Sequence, residues 1–369
     1  MVRQRALSLA LLAMAALGGC GEDRENAEAP APTPPPAAAR PEPKPVVTRD
    51  SPTLKAVRAR GRLNCGVHPG LAGFAFRDSR GVWNGFDADF CRATAAAVLG
   101  SRDAVNFRPL GADARFPSLI NGEVDVLWRN TSRTFVRDAS LGVDFAGSNY
   151  YDGQGFMVRR ALRLTSAAEL GGARVCVQRG STAQQNVADY FRGRGLQVEM
   201  VVVETDADGR AAYQREACDA YAADVSTLAS SRSVLNDPAA HILLPDVISK
   251  EPLGPVVRQG DATWTDIVRW TLNVMILAEE LGVTSRNVEE LRETSTSPEI
   301  RRLLGVEGGY GPMLGLKEDW AYQVILQVGN YGEVFEANLG ARSPLRLERG
   351  LNALWTAEQP GLMYAPPMG

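Results

Sequence analysis

Alternating strand and helix patterns occur twice along this chain, and the repetition limits the folds that it can adopt. The first series begins at Gly61 and the second at Ala173. Strands that alternate with helices favour a parallel sheet covered by helices on its faces. We therefore predict an α/β protein with two lobes that are built alike.

The predicted elements of both series are short and closely spaced. The strands are expected at residues 62–67, 105–109, 124–128, 174–178, 198–203 and 219–222. The helices between them are expected at residues 86–99, 114–121, 182–192 and 208–216. Beyond Pro245, an apolar stretch at 252–257 precedes an amphipathic helix at 263–281, and one long helix is predicted from Glu318 to about Asn338. This returning segment should complete the first lobe.

The first twenty residues have the pattern of an export signal. Arg3 and Arg5 precede an uncharged apolar run at 6–17, which is too short to span a bilayer. The following Leu17-Gly18-Gly19-Cys20 resembles the lipobox of bacterial lipoproteins. The resemblance implies that a signal peptide, residues 1–19, is removed and that Cys20 is acylated. A plain secretory signal with a chance cysteine is the alternative.

Residues 20–50 are predicted to form the lipidated cysteine and a tether. Eight prolines fall between Ala29 and Val46, and no apolar periodicity is present. Such a segment cannot bury enough apolar surface to offset its ordering entropy, and proline-rich chain is extended. The folded part should begin near Ser51. Residues 51–369 exceed the size of a usual single core, which again favours two lobes.

Cysteine usage points to disulfides. Apart from Cys20, an even number of cysteines remains, and in an exported protein this favours disulfide bonds. Four cysteines allow three pairings, and no CxxC spacing suggests a zinc site. The pairing in which each bond lies within one lobe joins Cys65 to Cys91 and Cys176 to Cys218, and this is the pairing we expect.

Composition argues against several classes of partner. Charged residues make up 22% of the chain and the formal net charge is -3, so no basic surface for nucleic acid is expected. The chain has two histidines, and no metal-ligand cluster or cofactor motif is evident. We expect neither a metal nor a cofactor.

A polar segment after the third predicted strand is the first candidate for a ligand site. Residues 125–138 run from an apolar strand through a polar turn into a short helix. Ligands of open α/β sheets bind beyond the carboxyl ends of strands, and arginine offers a rigid pair of donors that matches a carboxylate. We hypothesise a carboxylate ligand. The alternative is that the charges are solvated and the hydroxyls only cap the helix.

Six motifs, spread over both predicted lobes, resemble the general L-amino-acid-binding proteins of bacterial ABC importers, within the polar amino-acid substrate-binding family (family 3). They are residues 63–67 (LNCGV), 85–93 (GFDADFCRA), 122–127 (GEVDVL), 149–156 (NYYDGQGF), 248–260 (ISKEPLGPVVRQG) and 328–333 (VGNYGE). The resemblance extends from about Thr53 to Pro367.

The resemblance implies a type II periplasmic-binding-protein fold, in which two strand crossings form a hinge. The crossings would lie near residues 147–154 and 247–255. Lobe 1 would comprise residues 51–148 and 253–369, and lobe 2 residues 149–252.

The resemblance also implies roles for individual residues. Arg137 would donate two parallel hydrogen bonds to the ligand α-carboxylate. Ser132 would also help to hold the zwitterion, and Asn130 would do so mainly through its backbone. The amide of Thr182 would meet the same carboxylate at the start of a helix, where the dipole favours an anion. Asp224 would receive the ligand ammonium. A buried zwitterion needs paired charges of both signs, so these roles are physically consistent.

Substrate choice depends on positions where the chain departs from its relatives. Relatives selective for basic amino acids clamp the side chain between two aromatic residues, but Leu71 and Ala112 occupy the matching positions here. Their acidic contact to the cationic side chain is replaced by His68. These losses argue against lysine or arginine and favour a broad pocket. Arg129 would favour acidic or amide side chains, unless it is a salt-bridged surface residue; Gln178 is a further candidate, and His68 is otherwise a wall residue.

The function implied is capture of free L-amino acids in the periplasm and their delivery to the permease subunits of an ABC importer by hinge closure. The preference would be broad, or for acidic and amide side chains. The protein is expected to be a monomer, held at the cell membrane or outer membrane by its N-terminal lipid, and not an enzyme. Two alternatives are a periplasmic enzyme of the cyclohexadienyl-dehydratase type on the same fold and a tethered sensor without transport.

Overall fold

The computed structural model describes residues 50–369. The predicted signal peptide, Cys20 and nearly all of the tether therefore lie outside the described residues. Within the described range, no helix has both the length and the apolar character that a membrane span requires.

The described residues form short elements that alternate along the chain. The helices are α1 Pro52–Arg60, α2 Phe86–Leu99, α3 Arg115–Ile120, α4 Phe135–Ser140, α5 Ala183–Arg192, α6 Asp206–Gln214, α7 Val225–Ser233, α8 Ala262–Glu280, α9 Val288–Thr294, α10 Pro298–Leu303, α11 Tyr310–Met313, α12 Trp320–Val328 and α13 Tyr331–Asn338. The strands are β1 Leu63–Val67, β2 Phe76–Arg77, β3 Trp83–Asn84, β4 Val105–Pro109, β5 Val126–Leu127, β6 Val143–Phe145, β7 Tyr150–Asp152, β8 Gln154–Arg159, β9 Arg174–Gln178, β10 Glu199–Val203, β11 Ala220–Asp224, β12 His241–Leu243, β13 Glu251–Leu253 and β14 Val256–Arg258.

Two five-stranded sheets follow the same plan. The sheet of lobe 1 has the order β4-β1-β5-β14-β6, and that of lobe 2 has the order β10-β9-β11-β8-β12. In each sheet four strands run in the same direction, and one strand, β14 in lobe 1 and β8 in lobe 2, runs antiparallel to both of its neighbours. The strands of each predicted βαβαβ series are parallel, as expected, but each complete sheet is mixed. The βαβαβ series supplies three of the four parallel strands, while the antiparallel strands come from the segments that enter and leave the hinge.

The hinge is a two-stranded antiparallel ribbon. β7 pairs with β13, and Tyr151 lies opposite Pro252. β7 connects the sheet of lobe 1 to that of lobe 2, and β13 leads back towards β14. Both strands lie within the stretches expected to cross between the lobes.

An aromatic cluster fills the core of lobe 1 beside the hinge. Phe90 stacks on Trp128 with ring centroids 4.6 Å apart, and both side chains are fully buried. The hydroxyl of Tyr331 donates to the carbonyl of Asn149 at 2.9 Å, just before β7. The core of lobe 1 therefore holds one end of the hinge in place.

Most element boundaries agree with the sequence prediction to within two residues, but one long helix does not exist. Residues 318–338 contain two helices, because Gly329 has a φ of 105° and leaves the helical conformation. Asn330 then caps α13, where it accepts from Glu333 N at 2.8 Å and donates its own amide to Glu333 Oε2 at 3.0 Å. The apolar stretch at 252–257 is likewise divided between β13 and β14.

Each lobe contains one disulfide bond. Cys65 in β1 is bonded to Cys91 in α2, and Cys176 in β9 is bonded to Cys218, two residues before β11. All four cysteines are fully buried. This is the expected pairing, and each bond joins a central strand to another element of the same lobe.

Replacement of Gly254 by alanine tests the packing of the hinge. A Cβ at this position would lie 2.0 Å from the backbone carbonyl oxygen of Gly147, so the two crossings would have to separate. We expect Gly254→Ala to lower the free energy of unfolding by at least about 1–3 kcal/mol, measured by denaturant titration. Gly70→Ala is the matched control because a Cβ there meets no atom within 4 Å. Equal stabilities for the two variants would contradict this account of the hinge.

Candidate ligand-binding site

A cavity lies between the lobes at the carboxyl ends of several strands. It contains about 440 Å³ of space free of protein atoms, part of which is open solvent. Seven of the eight residues predicted to bind a ligand line it, namely Arg129, Asn130, Ser132, Arg137, Gln178, Thr182 and Asp224. The eighth, His68, lies behind the cavity wall.

Arg137 reaches from lobe 1 across the cavity. Thr134 caps the short helix α4, which carries the arginine. One guanidinium nitrogen donates to the carbonyl of Ser132 at 3.0 Å and another to the carbonyl of Gly180 in lobe 2 at 3.4 Å. Burial lowers the pKa of Arg137, and Glu251 acts in the opposite direction. Arg137 forms no ion pair with any carboxylate of the described residues.

Arg129 is a cavity residue, so its interpretation as a salt-bridged surface residue was wrong. Its side chain is 3% exposed, and its Nε donates to the carbonyl of Leu110 at 2.9 Å. A second, longer contact of 3.4 Å reaches Asn130 Oδ1. Burial lowers the pKa of Arg129 to about 10, although Asp206 and Asp87 act against this. Its guanidinium is held by neutral oxygen atoms.

The turn that carries Asn130 is anchored to helix α2. Asn130 has a φ of 24°, and its amide donates to Asp87 Oδ2 at 2.9 Å. The other carboxylate oxygen of Asp87 accepts from Asn149 at 3.5 Å. Burial raises the pKa of Asp87 to about 7, although both hydrogen bonds lower it. Helix α2 therefore fixes the backbone of Asn130 through Asp87. The contact of this backbone with a ligand stays a prediction.

The same turn is hydrogen-bonded to the hinge. Ser132 forms a β-bridge with Leu253 of β13. On either side of it, Arg133 N donates to the Pro252 carbonyl at 2.8 Å, and Gly254 N donates to the Thr131 carbonyl at 3.0 Å. A change in the hinge therefore reaches the cavity through direct backbone contacts.

Lobe 2 presents the start of helix α5 to the cavity. Thr182 precedes this helix, and its hydroxyl donates to Glu251 Oε2 at 3.0 Å, so the side chain is already engaged and only its backbone is available to a ligand. Gln178 donates to the carbonyl of Glu204 at 3.3 Å. Free amides at a helix N-terminus are suited to bind an anion.

Asp224 ends strand β11 and lines the cavity opposite Arg137. Its carboxylate has no hydrogen-bond or ion-pair partner among the described residues. Burial raises the pKa of Asp224 well above its usual range, and the neighbouring carboxylates of Asp152 and Glu251 raise it further. An amino group brought into contact with Asp224 would relieve this, because it would supply the missing positive charge.

His68 joins the lobes and does not line the cavity. Its Nδ1 accepts from Gly70 N at 3.0 Å, so its Nε2 carries the proton and donates to Asp206 Oδ2 at 2.7 Å. Tyr221 donates to the other oxygen of Asp206 at 2.9 Å. Burial lowers the pKa of His68. Burial alone would raise the pKa of Asp206, but the bond from His68 lowers it to about 2.

Leu71 and Ala112, which occupy the positions of the aromatic clamp of the relatives, do not lie at the same cavity. Ala112 lines the cavity, whereas Leu71 lies on a neighbouring groove. No aromatic side chain replaces them among the described residues that line the cavity. The cavity therefore has no flat surfaces to hold a long aliphatic side chain.

Two charged residues of the cavity were missed by the sequence analysis. Arg115 begins α3 and was treated as an ordinary helix residue. Asp206 begins α6, but it lay outside the helix predicted at 208–216 and was given no role. Each follows the carboxyl end of a strand, β4 or β10, and this position was the available signal. Within residues 50–369, no group of three or more histidine, cysteine or acidic residues is arranged to hold a metal ion.

Comparisons with known proteins show the family of this chain. The family model of the bacterial extracellular solute-binding proteins, family 3, matches residues 63–286 of this chain. The glutamate/glutamine/aspartate/asparagine-binding protein BztA of Rhodobacter capsulatus is 53% identical over 85% of this chain and 93% of its own length. The chain belongs to this solute-binding family. The general L-amino acid-binding periplasmic protein AapJ of Rhizobium johnstonii is 52% identical over 86% of this chain and 92% of its own length.

The fold of this solute-binding protein is the type II periplasmic-binding-protein fold. The solved structure of an ABC transporter periplasmic binding protein from Brucella ovis, with glutathione bound, matches with a TM-score of 0.83 and 51% identity. The match covers 85% of this chain and 98% of that chain. The two mixed sheets and the paired crossings described above are the elements of this fold.

Asp87 should make the stability of this solute-binding protein depend on pH. Its pKa of about 7 in the folded state exceeds its ordinary value of 3.8, so the stabilisation is present below about pH 4 and is lost as the pH rises towards 7. Asp87→Asn keeps an acceptor for the amide of Asn130 and removes the titration. At about 1.4 kcal/mol per pH unit, the wild-type free energy of unfolding should fall by roughly 4 kcal/mol relative to the variant over this range. Denaturant titrations at several pH values measure this difference, and parallel pH profiles would contradict it.

Proposed function

We propose that this protein captures free L-amino acids outside the cytoplasm, with a broad preference or one for acidic and amide side chains, and delivers them to the permease subunits of an ABC importer. The observation that carries the proposal is the pairing of opposite charges across one cavity. Arg137 and the start of α5 offer donors for a carboxylate, while Asp224 offers an unpartnered acceptor for an ammonium group. The names of the two relatives described above, BztA and AapJ, support the same class of ligand.

Electrostatics favours a zwitterion over a ligand of one charge. Leaving one partner of a buried charge pair uncompensated costs several kcal/mol. A ligand without an ammonium group would leave Asp224 beside Asp152 and Glu251, which already raise its pKa. A ligand without a carboxylate would leave Arg137 with only carbonyl acceptors. An α-amino acid supplies both groups on adjacent atoms.

Closure of the lobes around the ligand forms the second part of the proposal. We take residues 51–148 with 253–369 and residues 149–252 as the two bodies, with β7 and β13 as the hinge. Four polar side-chain contacts of the described residues span the cleft. Arg137 and Arg115 both reach the Gly180 carbonyl, His68 donates to Asp206, and the Ser230 hydroxyl donates to the Ala72 carbonyl at 2.7 Å. A ligand that bridges the same lobes would favour the closed state over the open one.

The proposal assigns the protein no catalytic step. An enzyme on this fold would need an acid or base at the reacting carbon of its substrate. Asp224 and Arg137 are instead proposed to bind the charged groups that every α-amino acid shares. Acylation of Cys20, a tether to the membrane and a monomeric state are further parts of the proposal, and they rest on the sequence alone.

A thermal-shift screen of the purified protein tests this function. The candidate ligands are the twenty L-amino acids, their D-forms and chorismate-derived acids. A ligand that binds only the folded state at a hundred times its Kd stabilises it by about 2.7 kcal/mol, so the melting temperature should rise with ligand concentration for a subset of L-amino acids. No shift with any L-amino acid would refute the proposal, and turnover of a hit would favour an enzyme.

Two substitutions test the residues assigned to the amino-acid head group. Arg137→Ala and Asp224→Asn should each weaken binding of any amino-acid ligand by about 100-fold or more, because each leaves a buried charge of the ligand without its partner. Isothermal titration calorimetry gives the Kd. The control is Arg133→Ala, in the same turn, whose exposed guanidinium pairs with Asp138 at 2.8 Å. A Kd near the wild-type value for either test variant would remove that residue from the site.

A further inference from the structure

Arg115 is a cavity guanidinium with few partners. Its side chain begins helix α3 and is 4% exposed. Its one hydrogen bond among the described residues runs from Nη2 to the Gly180 carbonyl at 3.5 Å. Its Nε is buried without any partner. A guanidinium with five N–H donors in this state leaves most of its hydrogen-bonding capacity unused.

The rest of the cavity does not neutralise this charge. Neither Arg115, Arg129 nor Arg137 forms an ion pair within the described residues. Two acidic residues of lobe 2, Asp224 and Asp206, raise the pKa of Arg115 but form no ion pair with it. The two oxygens of Asp206 are already engaged by His68 and Tyr221. Burial lowers the pKa of Arg115 well below its ordinary value, and the neighbouring charges of Arg129 and Arg137 lower it further.

The stacking of Arg115 on Phe116 does not replace an anion. The guanidinium carbon lies 5.1 Å from the centre of this ring, at which distance an aromatic face attracts a cation weakly. Arg137 lies over the same ring at 5.5 Å. Phe116 therefore contacts both guanidiniums without engaging the hydrogen-bonding capacity of their N–H groups.

We propose that Arg115 is a specificity-determining residue that binds an acceptor group on the side chain of the ligand, a carboxylate in preference to a carboxamide. The inference rests on the proposed function, in which the single α-carboxylate of an amino acid occupies Arg137. A second acidic group on the ligand then meets Arg115, with Arg129 beside it. An acidic amino acid thus supplies the two anions that this part of the cavity lacks.

Discrimination follows from what other ligands would leave unpaired. An apolar amino acid would displace water from Arg115 without offering an acceptor, and a basic one would add a fourth positive charge. Sites built to contact a polar group reject ligands that lack it, because the buried donors then lose their partners. The order of affinity should be acidic, then amide, then small apolar side chains.

Calorimetry with glutamate, glutamine and alanine tests the role of Arg115. In Arg115→Gln, the Kd for glutamate should rise by about 100-fold, as expected for loss of one partner of a buried charge pair, and the Kd for glutamine should rise less. The Kd for alanine should change by less than about threefold. Arg115→Lys, which keeps the charge but not the fork, should restore part of the preference for glutamate over glutamine.

Two controls separate this role from a structural one. Arg108→Gln removes an exposed arginine from strand β4 of the same lobe and should leave all three affinities unchanged. A melting temperature measured for each variant without ligand shows whether it folds. If Arg115→Gln weakens glutamate and alanine equally, Arg115 acts only in closure through Gly180 and the inference is overturned. If the wild-type protein binds no amino acid, the proposed function itself fails, whatever the variants do.

Discussion

The arrangement of the two lobes depends on buried charges that line the cavity between them and have no oppositely charged partner in the described part of the chain. Asp224 in lobe 2 and three arginines in lobe 1 are desolvated without forming ion pairs among the described residues. Such groups are unfavourable unless an opposite charge joins them. The closed arrangement therefore gains most from a ligand that carries both signs. The same ligand must touch both lobes, so the energetics of its binding and the position of the hinge are linked.

Backbone hydrogen bonds provide that link. The turn at 130–133 carries donors into the cavity on one side and pairs with strand β13 on the other. Asp87 holds the same turn from the core of lobe 1. The site is thus built on the hinge itself and is not a pocket in either lobe. Ser132, which forms a β-bridge with one of the crossings, therefore also lines the cavity.

The sequence was sufficient to predict the regular parts of the fold. Helix α2 and strands β4 and β9 begin and end where predicted, because their apolar patterns are continuous and their ends carry glycine or polar residues. The direction of β14 and β8 could not be predicted, because a short apolar strand has the same pattern in either direction. The break at Gly329 was missed because the apolar pattern continues across it.

The site was predictable to the extent that it follows shared motifs. The head-group residues were assigned by resemblance, and the structure brings all of them to one cavity, although their roles stay predictions. The burial of Arg129 and the presence of Arg115 could not be read from the sequence. Both depend on contacts with distant segments, the first with Leu110 and the second with Gly180. For Arg115, a charged residue that follows the carboxyl end of strand β4, this position was the available signal in the sequence.

The disulfides have a consequence for the order in which the chain can fold. Each bond closes a loop in one uninterrupted stretch, with sequence separations of 26 and 42 residues. The sheet of lobe 1 is different, because β14 must arrive from beyond lobe 2 to fill the gap between β5 and β6. In a chain that enters an oxidising compartment N-terminus first, both cross-links can form before that strand emerges. The Cys65–Cys91 bond would then reduce the conformational freedom of the N-terminal part of lobe 1 before β14 enters the compartment and completes the sheet.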